Sequence, residues 1–162
     1  MSSSIPASFS PDDSVVTTGP RGQRAHQQQF THLERLAEGF HEVTDHVWCQ
    51  VGNGLSNQTF IEGPEGLIVI DTGESIEEMA ASLSAAREYC SAPVAAVIYT
   101  HYHYCSGTQA LLDGQNDDMP IWGHFGIEKN LQTMATEISP TGGRGLVHQF
   151  SMLLPEDGPD AA

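Results

Sequence analysis

His101 and His103 stand two residues apart in THYHYCSG, Thr100 to Gly107, with Cys105 two residues further on. The apolar run before them, AAVIYT, predicts a strand that ends at this turn. In extended backbone, residues two apart point to the same side, so both imidazoles can converge on one ion. Imidazole suits zinc, iron or copper, and a deprotonated Cys105 would add a good zinc ligand. The plainer alternative is a pair of strand-end histidines packed among Tyr99, Tyr102 and Tyr104. Position favours chemistry, because ligands of α/β folds bind outside the carboxyl ends of strands. Asp71 also ends an apolar run, in VIDTGES. A carboxylate there can orient a metal-bound histidine, or it can accept backbone N–H bonds in the turn that follows. Both roles stay open at this point.

The elements that must carry these residues follow from hydrophobic period and punctuation. HVWCQV reads as a strand from His46, and GNGLSN follows it as a turn. QTFIEG and GLIVID flank Pro64-Glu65-Gly66, which predicts a hairpin. Leu67 to Ile70 is continuously apolar, the pattern of a strand buried on both faces. Ser75 and Glu78 form an S-x-x-E capping box, and Ile76, Met79, Ala80, Leu83 and Ala86 give the next helix an apolar face. After Pro93, Val94 to Tyr99 is another buried strand. One or two helical turns over Gly107–Leu112, an acidic DGQNDD loop, a short strand at Pro120–Trp122 and a helix from Phe125 to about Glu137 complete the series. Phe30, Leu33, Leu36 and Ala37 have helical spacing, while Met1 to about Gln29, rich in Ser, Pro, Gly and Gln, reads as an extended or disordered arm. The alternation of strand and helix is α/β, with a division into an arm, 1–29, and a domain, 30–162.

The chain has 162 residues, enough for one core, and a formal charge of -15 from 6 Lys plus Arg against 21 Asp plus Glu. That charge repels nucleic acids and anionic membrane surfaces. Three cysteines are an odd and sparse set that argues against a disulfide framework. No apolar run approaches the ~20 residues that span a bilayer, and MSSSIPASFSPDDS has no secretory pattern, so cytoplasm is the expected compartment. His124 and His148 are candidate additional ligands, Arg144 a candidate anion contact, and Cys49 and Cys90 read as small core residues. Glu128 and Glu137 read as the solvated face of their helix.

VGNGLSNQTFIEGPEGLIVIDTGES followed by AVIYTHYHYCSG resembles the metallo-β-lactamase superfamily, and within it the alkylsulfatase-like branch. The matching segments are Asn57 to Gly63, Gly66 to Thr72 and Tyr99 to Ser106, with QFSMLLPEDGPDA, Gln149 to Ala161, similar to a downstream stretch of that branch. The resemblance implies an αββα sandwich, of which this chain would be roughly the first half. It also implies hydrolysis of a sulfate ester by zinc-bound hydroxide, and a zinc site built on His101, His103 and Cys105 with Asp71 behind it. The family's turn carries Asp and His where this chain has Cys105 and Ser106, which points to one zinc rather than two. The family's remaining ligands lie downstream of the QFSMLLP-like stretch, so the resemblance implies a fragment, or a chain completed by a complementary polypeptide or homo-oligomer. The substrate class implied is a small alkyl sulfate; thioester or lactone hydrolysis is the expectation for other branches. A non-catalytic subunit or decayed fragment, keeping the fold for protein association, is the alternative.

Overall fold

A computed structural model describes residues 12–112 and 118–161. The first eleven residues of the arm and all but Asp118 of the acidic loop lie outside the described residues. The chain divides into two compact units, residues 36–141 and residues 1–35 with 142–162.

The larger unit is built on a six-stranded sheet in the order β3-β4-β5-β6-β7-β8. Its strands are β3 (Gly39–Thr44), β4 (Val47–Val51), β5 (Gln58–Gly63), β6 (Gly66–Ile70), β7 (Val94–Ile98) and β8 (Ile121–Trp122). The first four run antiparallel, and β6, β7 and β8 are mutually parallel. Register aligns Trp48, Phe60, Val69 and Val97 side by side across four strands. All four are buried, and helix α2 (Ile76–Ala86) adds Met79 and Ala86 to the same cluster. Complete burial of Phe60 contributes about 2–3 kcal/mol through the apolar surface removed from water.

The expected hairpin forms, with Gly63 opposite Gly66 across the Pro64-Glu65 loop. Helix α2 starts where the capping box predicts: Ser75 Oγ accepts the Glu78 N–H at 3.1 Å. Glu78 reaches back to the N–H of Glu74 rather than that of Ser75. The buried stripe of α2 is Met79, Ser82 and Ala86, while Ile76 is 47% exposed. Ser82 enters the core because its hydroxyl donates to Gln58 Oε1 at 2.8 Å and accepts from Asn53 Nδ2 at 3.0 Å. A buried polar group stabilises only when it is bonded, and this one is.

Burial of β6 and β7 on both faces is not observed. Two further rows, Val47-Ile61-Ile68-Ala96 and Cys49-Thr59-Ile70-Ile98, occupy the other face. They are half-buried, or exposed at Ile98. The continuous apolar run is there, but α2 covers one face alone. Parallel strands normally have both faces covered.

In the smaller unit, β1 (Val16–Thr18) pairs antiparallel with β2 (Arg24–His26), ahead of α1 (Gln27–Arg35). The polar residues read as an extended arm thus form a hairpin, closed by an Arg24–Asp13 ion pair at 3.2 Å. The segment near Gly158 lies beside it, Gly158 N–H bonding Arg21 O at 2.8 Å. Helix α1 begins three residues before Phe30 and stops at Arg35, because Gly39 and Phe40 are drawn into β3 instead. In the larger unit, α3 (Ile127–Thr133) is followed directly by a π-helical stretch, Met134–Ile138, and then α4 (Ser139–Gln149) begins; none of the described helices is long and apolar enough to cross a membrane.

Candidate metal-binding turn

Strand β7 ends at Ile98, and the next residues do not continue it. His101 to Cys105 form a turn, in which Tyr104 N–H bonds His101 O at 3.2 Å, and a 3-10 helix, Ser106–Leu111, follows. His101 and His103 do converge, with Nε2 of the first 2.8 Å from Nδ1 of the second. The turn brings them together, not the alternation of an extended strand. Their rings also lie against tyrosines: His101 is 5.0 Å from Tyr104 and His103 is 3.9 Å from Tyr102, between centroids.

The turn is held from the neighbouring strand. Asp71 follows β6, buried, in a left-handed conformation (φ 60°) that a non-glycine residue adopts at some cost. That conformation points its carboxylate along the sheet end, where Oδ1 accepts the Thr100 N–H at 2.8 Å and Oδ2 the Thr100 hydroxyl at 2.5 Å. Asp71 therefore fixes the residue directly before His101. Thr72, next in sequence and fully buried, bonds Tyr104 O through both its N–H, at 2.8 Å, and its hydroxyl, at 3.1 Å.

Gly107 closes the turn on α2. A Cβ there would overlap Thr72 O and lie 2.6 Å from Met79 Cβ and 2.7 Å from Ser75 O. Only glycine lets the chain approach so closely.

Cys105 turns elsewhere. Its thiol donates to Tyr102 O at 3.1 Å, and burial pushes its pKa up. Burial raises the Tyr99 hydroxyl pKa in the same way. Among the described residues no group of three or more His, Cys, Asp or Glu side chains is arranged to hold a metal ion. Two imidazoles fit a zinc ion as part of its ligand set, and a closed site needs about four ligands. His124 Nδ1 accepts the Gly126 N–H at 3.1 Å ahead of α3, and His148 and Arg144 are exposed on α4. Glu128 and Glu137 are exposed, as a solvated face would be.

Residues 51–104, which hold β5, β6, α2, β7 and the turn as far as Tyr104, match the family model described as Metallo-beta-lactamase superfamily. A linear primary-alkylsulfatase of Pseudomonas sp. is 36% identical over 147 residues, 87% of this chain and 21% of that protein. An alkyl/aryl-sulfatase of Saccharomyces cerevisiae is 29% identical over 150 residues, 89% of this chain and 22% of that protein. Among solved structures, a double mutant of the sec-alkyl sulfatase PisA1 has the same fold, with a TM-score of 0.63 at 23% identity, over 73% of this chain and 20% of that one. Residues 51–104 thus identify the chain's similarity as one to the metallo-beta-lactamase superfamily.

Within the superfamily its similarity is to alkylsulfatases, and it spans about a fifth of the length of those curated relatives. The open sheet face fits this partial coverage: the superfamily fold is an α/β one, and the chain supplies part of it. The residues that sequence reading passed over are Thr72, Thr108 and Gly107. Gly107, two residues after Cys105, carried a readable signal, since a glycine in a tight turn permits close backbone approach. The two threonines carried none, because a hydroxyl's partner is set by tertiary position.

Proposed function

We propose that this chain is part of a metal-dependent hydrolase that cleaves sulfate esters. The observation that carries the reading is the convergence of His101 and His103 at 2.8 Å on a turn fixed by Asp71. The similarity to alkylsulfatases supports a small alkyl sulfate as the substrate class. In this reading His101 and His103 hold one zinc ion, and Cys105 joins them by a rotation that gives up its bond to Tyr102 O. Zinc bound there would supply a water whose pKa falls to about 7. Asp71 acts behind the ligands by fixing Thr100. The remaining ligands and the substrate pocket come from a longer form of the protein or from a complementary chain. Such a segment would also cover the half-buried apolar rows of the six-stranded sheet.

A second reading is a subunit that keeps the fold for association. The open apolar face and the Cys105 thiol bonded to a backbone carbonyl favour it.

Native mass spectrometry with added zinc, beside a His101→Ala, His103→Ala variant, tests both. Uptake of one zinc by the wild type, lost in the variant, supports the metal reading. Sulfate release from an alkyl sulfate would then be sought with the longer protein. No zinc uptake by the wild type overturns the metal site in this chain and favours association.

A further inference from the structure

Asp71 explains why the His turn starts where it does, but a turn fixed at one end still pivots. Its far end, from Tyr104 to Thr108, carries no charged anchor. Three hydroxyls meet there instead. Thr72 Oγ1 lies 3.1 Å from Tyr104 O and 3.0 Å from Thr108 Oγ1. Thr108 Oγ1 is also 3.0 Å from Cys105 O, and the Tyr99 hydroxyl bonds to Thr108 Oγ1. Thr72 and Thr108 are buried. Each hydroxyl has a single proton to give. A consistent assignment runs in one direction: Tyr99 donates to Thr108, Thr108 shares its proton between Thr72 Oγ1 and Cys105 O, and Thr72 donates to Tyr104 O. Bonds donated in series polarise one another, so the loss of one member weakens the rest of the chain.

We propose that Thr72, Thr108 and Tyr99 form a positioning network that holds the carbonyls of Tyr104 and Cys105 and so presets the distance between the His101 and His103 imidazoles. The inference rests on the metal reading of that turn and deepens it. None of the three touches an imidazole in the network; they act through the backbone of residues 104 and 105. With Asp71 on Thr100, consecutive residues at the end of β6 then grip the two ends of one turn. The two imidazoles are hydrogen-bonded to each other before any ion arrives, so an ion must displace that bond and its proton but meets rings already ordered.

Thr108→Val keeps the shape and removes the central hydroxyl; Thr108→Ser restores it; Thr59→Val, on the half-buried sheet face, serves as a control. Two readouts are taken on each variant: zinc affinity by calorimetric titration, and the ring resonances of His101 and His103 by NMR without metal. The expected result is zinc binding weakened about tenfold in Thr108→Val, as for other groups that orient ligands. The His101 and His103 signals should shift or broaden, Thr108→Ser should recover both readouts, and Thr59→Val should leave both unchanged. A lower urea midpoint in Thr108→Val with unchanged zinc affinity and unchanged ring signals overturns the proposal, leaving the network a purely structural one. If the wild type takes up no zinc, the metal reading fails, and the metal-free ring signals decide the network separately: altered signals support it and unaltered ones overturn it.

Discussion

The two ends of the six-stranded sheet each place a histidine in a turn beside a carboxylate, yet they are built on different principles. At the carboxyl ends of β6 and β7, side chains bond each other but also reach the backbone of the turn: Asp71 accepts the Thr100 N–H, and Thr72 holds Tyr104 O. At the opposite end, side chains bond each other. His46, in the β3–β4 turn at φ 63°, meets Glu62 of β5 at 2.6 Å, and the other Glu62 oxygen accepts the Cys90 thiol at 3.2 Å. Glu62 holds the His46 pKa above its ordinary 6.5, and His46 holds Glu62 below its ordinary 4.5. Desolvation and then the carboxylate push the Cys90 thiol up. Backbone-directed bonds with buried acceptors define where a chain goes. An exposed ion pair joins two side chains that both have water as an alternative, and it contributes little to stability. The difference teaches that a site is marked less by its titratable residues than by what those residues hold.

The sharpest way to break the contrast is Gly107→Ala. A methyl group must displace Thr72 O or the start of α2, so a loss of about 3 kcal/mol is expected by urea denaturation. A loss under ~0.5 kcal/mol would mean that the turn is not seated on α2 as described. Asp71→Ala comes next. It leaves the Thr100 N–H without its acceptor, for a loss of about 2 kcal/mol, and amide exchange at Thr100 should accelerate. Asp71→Asn, which keeps one acceptor, should lose less. Unchanged exchange at Thr100 in Asp71→Ala would remove the carboxylate from its anchoring role.

Smaller effects are expected at the other end. The His46 contribution is fully present below the unfolded histidine value and is lost as pH rises through its raised folded value. The Glu62 contribution is fully present above the unfolded carboxyl value and is lost as pH falls through its lowered folded value. Their link is therefore strongest between about pH 4.5 and 6.5 and fades on either side. Protection of the Glu62 amide, whose N–H bonds His46 O, measured relative to its intrinsic exchange rate at each pH, should be greatest in that window, and His46→Ala should flatten the profile. The smallest effect is that of Glu62→Gln on the site end. Exchange at Thr100 should match the wild type across the range, and a change there would show that the two ends are coupled.

Much of the fold was legible because its signals are local. The Pro64-Glu65-Gly66 turn, the Ser75 cap and the apolar runs at 67–70 and 94–98 each depend on neighbours within a few residues, and each element formed there. The 3-10 helix at Ser106–Leu111, the strand at Ile121–Trp122 and α3 are also where the pattern expected them, and a π-helical stretch, Met134–Ile138, carries the helix past Glu137. Where reading failed, a distant partner decided. Helix spacing at Phe30–Phe40 lost its last residues to β3, whose pairing with β4 the sequence does not advertise. Pro140 to Gly145, rich in residues that disfavour helix, nevertheless lie in α4, which follows directly on a π-helical stretch, Met134–Ile138. A Cβ at Gly143 or Gly145 would meet nothing within 4 Å, so packing does not demand those glycines.

By itself, the sequence determined the order of elements, the place of the turn at the end of an apolar strand, and the pair of histidines at its centre. These follow from hydrophobic period, capping and residue type, which are properties of adjacent residues. Only the tertiary structure decided how the histidines meet, since a turn rather than an extended strand brings their nitrogens to 2.8 Å. It alone decided that Asp71 grips Thr100, that Cys105 faces a carbonyl, and that one sheet face lies half open. The physical reason is the same in each case: a side chain's partner is set by which strands lie side by side, and strand neighbours are a property of the whole fold.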